Sequence, residues 1–223
     1  MEHVELAADD LLLRPWRDAD APAVRDALRD PAIAQWNPQG DGPIDDEVAL
    51  LWVRRRADWS AGDHASLAVA AADDGKLLGS VSLHHIRHGD ASIGYWTMPA
   101  ARGRQVATRA VVRLTAWAFD VLRLHRIELC HAVANPASCR VADRAGYPAE
   151  GTLRESYRYG DGRRYDEHLH ARLSTDRWYR NESILYAANG PLQGRQQPAR
   201  PCLVDQVSRA RSRSQILMVA MSM

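Results

Sequence analysis

Gly94-Tyr95-Trp96-Thr97-Met98-Pro99-Ala100-Ala101-Arg102-Gly103-Arg104-Gln105-Val106-Ala107-Thr108 is the stretch that decides how this chain is read. Ser92-Ile93-Gly94-Tyr95-Trp96 has strand character, and Pro99 stops it. From Val106 the apolar side chains fall at Val106, Ala107, Ala110, Val111, Leu114, Trp117, Ala118 and Val121, the spacing of one buried helix face. A helix therefore opens directly after a basic, glycine-containing turn. The first N–H groups of a helix have no carbonyl partner within it, and its dipole is positive at that end, which together make an anion site. Arg102 and Arg104 add full charges. The junction suits a phosphorylated ligand; a solvated basic turn before an ordinary helix fits the spacing equally well.

Upstream, Leu11-Leu12-Leu13-Arg14 reads as a first strand. Asp18 or Asp20 caps a helix reaching Arg29, with Ala21, Val24, Ala27 and Leu28 inward and Pro22 tolerated in its first turn. Asp30-Pro31 breaks it, and residues 31–43 read as loop around Gln35-Trp36-Asn37-Pro38. Residues 45–59 form a second helix, its acidic start suited to the dipole. Strands follow over 67–70 and 77–86, joined by the turn Asp73-Asp74-Gly75-Lys76. His84, His85 and His88 invite a metal reading, but neighbours on a strand point to opposite faces, so no metal is expected there.

Downstream, Arg126-Ile127-Glu128-Leu129-Cys130-His131-Ala132-Val133 is a strand that alternates Ile127, Leu129, His131 and Val133 with Glu128, Cys130 and Ala132. Asn135 caps the next helix, Pro136 occupies its first position and Gly146 ends it. Residues 151–159 and 166–173 form a closing hairpin around Asp161-Gly162. Seven strands alternating with helices predict an α/β or α+β sheet with helices on its faces. Beyond residue 180 the pattern stops, so one domain is expected over 1–180 and a disordered or loosely packed tail over 181–223.

With 46% hydrophobic and 26% charged residues, the composition is that of a globular protein. A net charge of +1 speaks against a dedicated nucleic-acid binder, whose affinity rests on many phosphate contacts. No apolar run is long enough to span a membrane. Cys130, Cys139 and Cys202 are odd in number and lack metal-ligand spacing, and the chain opens on an acidic segment, so a cytoplasmic location is expected.

A second segment, Asn135-Pro136-Ala137-Ser138-Cys139-Arg140-Val141-Ala142-Asp143-Arg144-Ala145-Gly146-Tyr147, sharpens the reading. Taken in order, the two segments resemble the GNAT superfamily of N-acetyltransferases. Arg14-Pro15-Trp16 and Asp161-Gly162-Arg163-Arg164-Tyr165-Asp166 make the chain similar to the RimJ/RimL branch. The resemblance runs from Leu11 to Trp178 and implies a GNAT fold, with splayed middle strands in a mixed sheet and helices on both faces. It implies acetyl-CoA as donor, CoA as product, and an amine acceptor that is either a protein N-terminus or a small molecule. No metal is implied, and a monomer or homodimer is expected.

By the same resemblance, Arg102, Gly103, Arg104, Gln105, Val106, Ala107 and Thr108 cradle the pyrophosphate. The strand Tyr95, Trp96, Thr97 and Met98 lies along the pantetheine arm, and Asn135 and Ser138 lie near the sulfur. An N–H near Thr97 or Met98 is a candidate to stabilise the developing oxyanion, an effect worth ~3–4 kcal/mol. Ser138 is the candidate that returns a proton to the leaving thiolate; it is also a plain N3 residue capped by Asn135. For the general base, relatives place a Glu where this chain has Tyr157, and Glu155, two residues earlier on the same expected strand face, is the substitute. Trp36 and Glu155 are candidate acceptor contacts. The family's central loop glycine is Gln105 here, so a non-catalytic or weakened CoA-binding module is the alternative reading. Proton energetics favour an α-amine acceptor: with a pKa near ~8 its deprotonation at pH 7 costs ~1.4 kcal/mol, against ~4.6 kcal/mol for a lysine at ~10.4.

Overall fold

The computed structural model describes residues 1–39 and 42–176. The tail expected over 181–223, with Cys202, lies outside the described residues. Eight strands form one sheet in the order β1-β2-β3-β4-β5-β6-β8-β7. They are β1 (Leu6–Ala8), β2 (Leu11–Arg14), β3 (Ala65–Ala71), β4 (Leu77–Arg87), β5 (Asp90–Thr97), β6 (Arg126–Ala132), β7 (Ala149–Arg158) and β8 (Arg164–Leu173). The sequence pattern predicts seven; the additional one, β1, has only three residues, too few to show alternation. Every neighbouring pair is antiparallel except β5 and β6.

Helices cover both faces. On one, α4 (Val106–Asp120) and α5 (Pro136–Arg144) enclose a core with Leu67, Val69, Val81, Leu83 and Ile93. On the other, α1 (Ala21–Leu28), α2 (Pro31–Trp36) and α3 (Asp46–Ala57) pack with Ala68, Leu77 and Trp96. Residues 67, 68 and 69 alternate between the two cores, as a strand buried on both sides requires. The second core centres on three indoles. Trp16 meets Trp52 edge-on at 5.0 Å, and both lie 6.2 Å from Trp96. Trp16 Nε1–H donates to Ser66 Oγ at 3.1 Å, so the buried indole is satisfied. Arg14 is held by a two-pronged, buried ion pair with Asp20, both contacts 2.8 Å.

Helix α2 corrects the expectation of a loop over residues 31–43. Asp30 accepts from the Ile33 amide at 3.0 Å and Pro31 occupies the first position. The pair Asp30-Pro31 that ends α1 thus also starts α2. The β7–β8 hairpin docks on α2 through Gly160, whose N–H donates to Gln35 O at 3.0 Å.

Two consequences are testable. A Cβ at Gly160 would sit 2.2 Å from Ala34 O and 2.9 Å from Gln35 Cα, both backbone atoms. Gly160→Ala is expected to cost ~1–3 kcal/mol, read as a lowered urea midpoint. Burial, then the Arg56 guanidinium and the His85 ring, push His84 down to about 4. Between pH 6.5 and 4 the unfolded chain therefore binds a proton that the folded chain refuses. Stability is expected to fall as pH drops through that window, by at most ~1.4 kcal/mol per pH unit, and His84→Gln to flatten the slope in urea titrations at several pH values.

Candidate active site

The site begins where the sheet comes apart. Strands β5 and β6 pair only over Asp90, Ala91 and Ser92, opposite Arg126, Ile127 and Glu128. Beyond that point β5 stays on β4 and β6 on β8, and a cleft of about 740 Å³ opens between them. Met98 N–H donates to Leu78 O at 2.9 Å, so the even-numbered positions of β5 face β4. Alternation turns the backbone groups of Tyr95 and Thr97 toward the parted side. Met98 is thus excluded as an oxyanion donor, and its side chain packs between the two cores away from the cleft.

One end of the cleft is the turn before α4. The first α-helical bond there runs from Arg109 N–H to Gln105 O at 3.0 Å. The amides of Val106, Ala107 and Thr108 stand ahead of it, and all three residues line the cleft. Gly103 and Gln105 both adopt left-handed conformations, with φ of 79° and 57°. The turn that glycine would make freely is therefore made by Gln105 at a local cost of ~1–2 kcal/mol. Gln105 is an exposed residue that itself lines the cleft, and the cleft is open there. The open cleft and the named acetyltransferase relatives lend the non-catalytic alternative no support.

The two arginines of the turn are placed differently. Arg102 lines the cleft and donates to Asp30, the cap of α2. Burial alone would raise the Asp30 carboxyl, but Arg102 and the Ile33 and Ala32 amides outweigh it and hold it low. Arg104 corrects the expectation: it points off the cleft, 3.8 Å from Asp10. Arg140 and Arg144, one turn apart on α5, line the cleft instead. Sequence reasoning passed over them because they read as the polar face of an amphipathic helix.

Opposite β5 stands the first turn of α5. Asn135 Oδ1 accepts from Ser138 N–H at 3.3 Å, which is the capping role. Asn135 Nδ2 donates to Ser138 Oγ at 3.2 Å. The hydroxyl oxygen is thus an acceptor from Asn135, and its own proton is directed elsewhere. Ser138 lines the cleft, so that proton is available to a group bound in it. Tyr95 O–H reaches across to Ser138 O at 3.4 Å, and burial raises its pKa well above the phenol range. Cys130, also at the cleft, is pushed up to about 11 by burial and by the Glu167 and Glu128 carboxylates.

The far wall is aromatic. Trp36 packs edge-on against Tyr159 at 5.4 Å and Tyr165 at 5.8 Å, and Tyr157 against Tyr159 at 5.0 Å. Trp36 and Tyr157 both line the cleft, as do Trp96 and Thr97. Glu155 does not. It sits at φ 46° where the β7–β8 register shifts between Leu153 and Tyr157, and this bulge breaks the alternation that would have put it beside Tyr157. The carboxylate that does reach the cleft is Glu167 on β8, the only one among the described lining residues. Tyr159 O–H donates to its Oε1 at 2.8 Å and Ser156 O–H to its Oε2 at 2.7 Å. The Glu167 partner raises Tyr159 further above its usual range, after burial. His84, His85 and His88 form no ligand cluster among the described residues.

A parted sheet, the amides at a helix start and a serine on the same cleft are the setting, and the family comparison makes the chain an acyltransferase. The chain belongs to the GNAT acetyltransferase family: the model of the acetyltransferase (GNAT) domain matches residues 10–148. The Bacillus subtilis protein YdaF, whose name places it among ribosomal N-acetyltransferases, is 31% identical over 172 residues, covering 74% of this chain and 88% of YdaF. Mycobacterium smegmatis RimJ, solved with a CoA disulfide, is 25% identical, with a TM-score of 0.68 over 83% of this chain and 93% of RimJ. RimL in complex with coenzyme A shares the fold at 20% identity, with a TM-score of 0.70 over 78% of this chain and 100% of RimL.

The left-handed Gln105 generates a test. Gln105→Gly relieves the local strain but frees the unfolded chain, two effects of ~1 kcal/mol each and opposite sign. Stability is expected to stay within ~1 kcal/mol of the parent by denaturant titration, with CoA affinity by calorimetry equal or tighter.

Proposed function

We propose that the protein transfers the acetyl group of acetyl-CoA to a primary amine by direct attack in a ternary complex. The acceptor we favour is a protein N-terminal α-amine, with a small-molecule amine as the second choice. The observation that carries this reading is that Ser138 and the first residues of α4, Val106–Thr108, line one cleft whose only described carboxylate is Glu167. A relative named as a ribosomal N-acetyltransferase supports a protein acceptor. The domain spans residues 1–180 in this reading and works in the cytoplasm; no described helix is long and apolar enough to cross a membrane.

The residues present fit acetyl-CoA. The amides of Val106, Ala107 and Thr108 offer three donors to a pyrophosphate, and Arg102 offers charge beside them. Arg140 and Arg144 extend the positive surface along α5 toward a further phosphate. The outward-turned backbone of Tyr95 and Thr97 offers a strand edge to an extended amide-bearing arm. When bound, acetyl-CoA supplies an activated acyl carbon and a thiolate leaving group. Thr97 N–H takes the oxyanion role in place of Met98. Ser138 O–H returns a proton to the departing sulfur, with Asn135 fixing the oxygen. Glu167 takes the proton lost by the amine and releases it to solvent, from which Ser138 regains its own, so the net proton passes from amine to thiol. Trp36, Tyr157 and Tyr159 form the wall against which the acceptor lies.

A thiol-release assay tests this reading with a panel of peptides bearing free or blocked N-termini and a panel of small amines. Turnover is expected with free α-amines, rising with pH toward the acceptor pKa near ~8. Ser138→Ala and Glu167→Gln are each expected to lower kcat by about 10²-fold or more, with the KM for acetyl-CoA little changed. Absence of turnover with every amine despite bound CoA overturns the reading.

A further inference from the structure

His131 lines the cleft, and with Cys139, His168 and His170 it forms a cluster to which the proposed transfer assigns no role. His131 stands on β6 directly opposite His168 on β8. His170 is two residues further along β8, on the same face. Cys139 reaches the same point from the first turn of α5. The ligand atoms of all four lie within 4.8 Å of one another, and all three histidines are buried. The spacing 131, 139, 168 and 170 carries no local signature, which is why the sequence shows nothing there.

The hydrogen bonds around two of the rings fix their tautomers. His131 Nδ1 faces Ala132 O at 2.9 Å, and His170 Nδ1 faces Tyr147 O at 3.0 Å. A carbonyl oxygen only accepts, so both Nδ1 atoms carry hydrogen. In neutral imidazole each Nε2 is then a bare lone pair. These two lone pairs lie 3.3 Å apart, with ring centroids 5.2 Å apart, so the rings meet nitrogen end to nitrogen end. Two acceptors in that position repel unless something electropositive lies between them. Tetrahedral zinc, with Zn–N of ~2.0–2.1 Å, sets its nitrogens about 3.3–3.4 Å apart. An Nδ1–H held by a backbone carbonyl is also the outer-shell contact that orients a metal-binding imidazole.

We propose that His131, Cys139, His168 and His170 form a closed zinc site that clasps the Ser138-bearing turn of α5 to strands β6 and β8. Three imidazoles and one thiolate are donors of the borderline-soft kind that zinc takes, and they fill all four positions of its tetrahedron. The site is structural, because no position is left for water or substrate. Binding displaces the Cys139 thiol proton, so uptake at neutral pH releases about one proton per ion. The remaining distances, up to 4.8 Å, contract by side-chain rotation as the ion enters.

The test uses the full chain stripped with a chelator and titrated with Zn²⁺, then with Co²⁺ as a spectroscopic substitute. One zinc per chain is expected, with a rise in melting temperature of about 5–10 °C at a hundredfold excess over Kd. The Co²⁺ form is expected to show tetrahedral d–d bands and a thiolate-to-metal charge-transfer band. Cys139→Ser abolishes the charge-transfer band, and His131→Gln weakens zinc uptake at least tenfold. Failure of the parent chain to take up zinc stoichiometrically, or a Co²⁺ spectrum without the thiolate band, overturns the proposal and leaves the His131–His170 contact to a shared proton. Metal content is read independently of turnover, so this result and that of the acetylation assay stand apart.

Discussion

The parting of β5 from β6 is the constraint on which the rest of the molecule depends. A sheet interior leaves few backbone groups unpaired, because a buried, unbonded N–H or C=O costs about as much as a lost hydrogen bond. Here two central strands abandon one another after three residues. The surrounding structure keeps that gap open. Strands β4 and β8 hold the outer edges of β5 and β6 in register. The indole core of Trp16, Trp52 and Trp96 stiffens one face under β5, and α4 and α5 close the other. The gap is thus a built cavity whose exposed strand edge awaits a partner.

Both sides of the gap are set by local chemistry. The α4 side depends on backbone shape: two left-handed residues, Gly103 and Gln105, bring the chain into the helix with its first amides pointing into the cleft. The α5 side depends on a cap. Asn135 satisfies the Ser138 amide and also donates to the Ser138 hydroxyl oxygen, so one residue caps the helix and fixes the hydroxyl that lines the cleft. In the proposed mechanism capping and chemistry are two uses of the same contact, as the sequence reading allowed when it gave Ser138 both roles.

Much of this was legible beforehand. The 3.6-residue spacing from Val106 to Val121 marked α4, and Asn135-Pro136 with Gly146 marked α5, because those signals are local. Asp30-Pro31 was misread: a pair that breaks one helix is equally a cap and first position for the next. Glu155 was misplaced because strict alternation was assumed along β7, and a positive φ in the middle of a strand leaves no mark in residue type. Glu167 and the His131, Cys139, His168 and His170 group were invisible for another reason. They meet only once β6, β8 and α5 have packed, and no short spacing records a meeting between distant segments.

The contact between Arg102 and Asp30 joins the two halves of the cleft. Asp30 caps the helix that carries Trp36 on the acceptor wall, while Arg102 belongs to the turn on the donor side. One guanidinium thus serves two masters. In the proposed mechanism, a phosphate bound at the turn would compete with Asp30 for Arg102, and so would bear on the cap of the helix that carries Trp36.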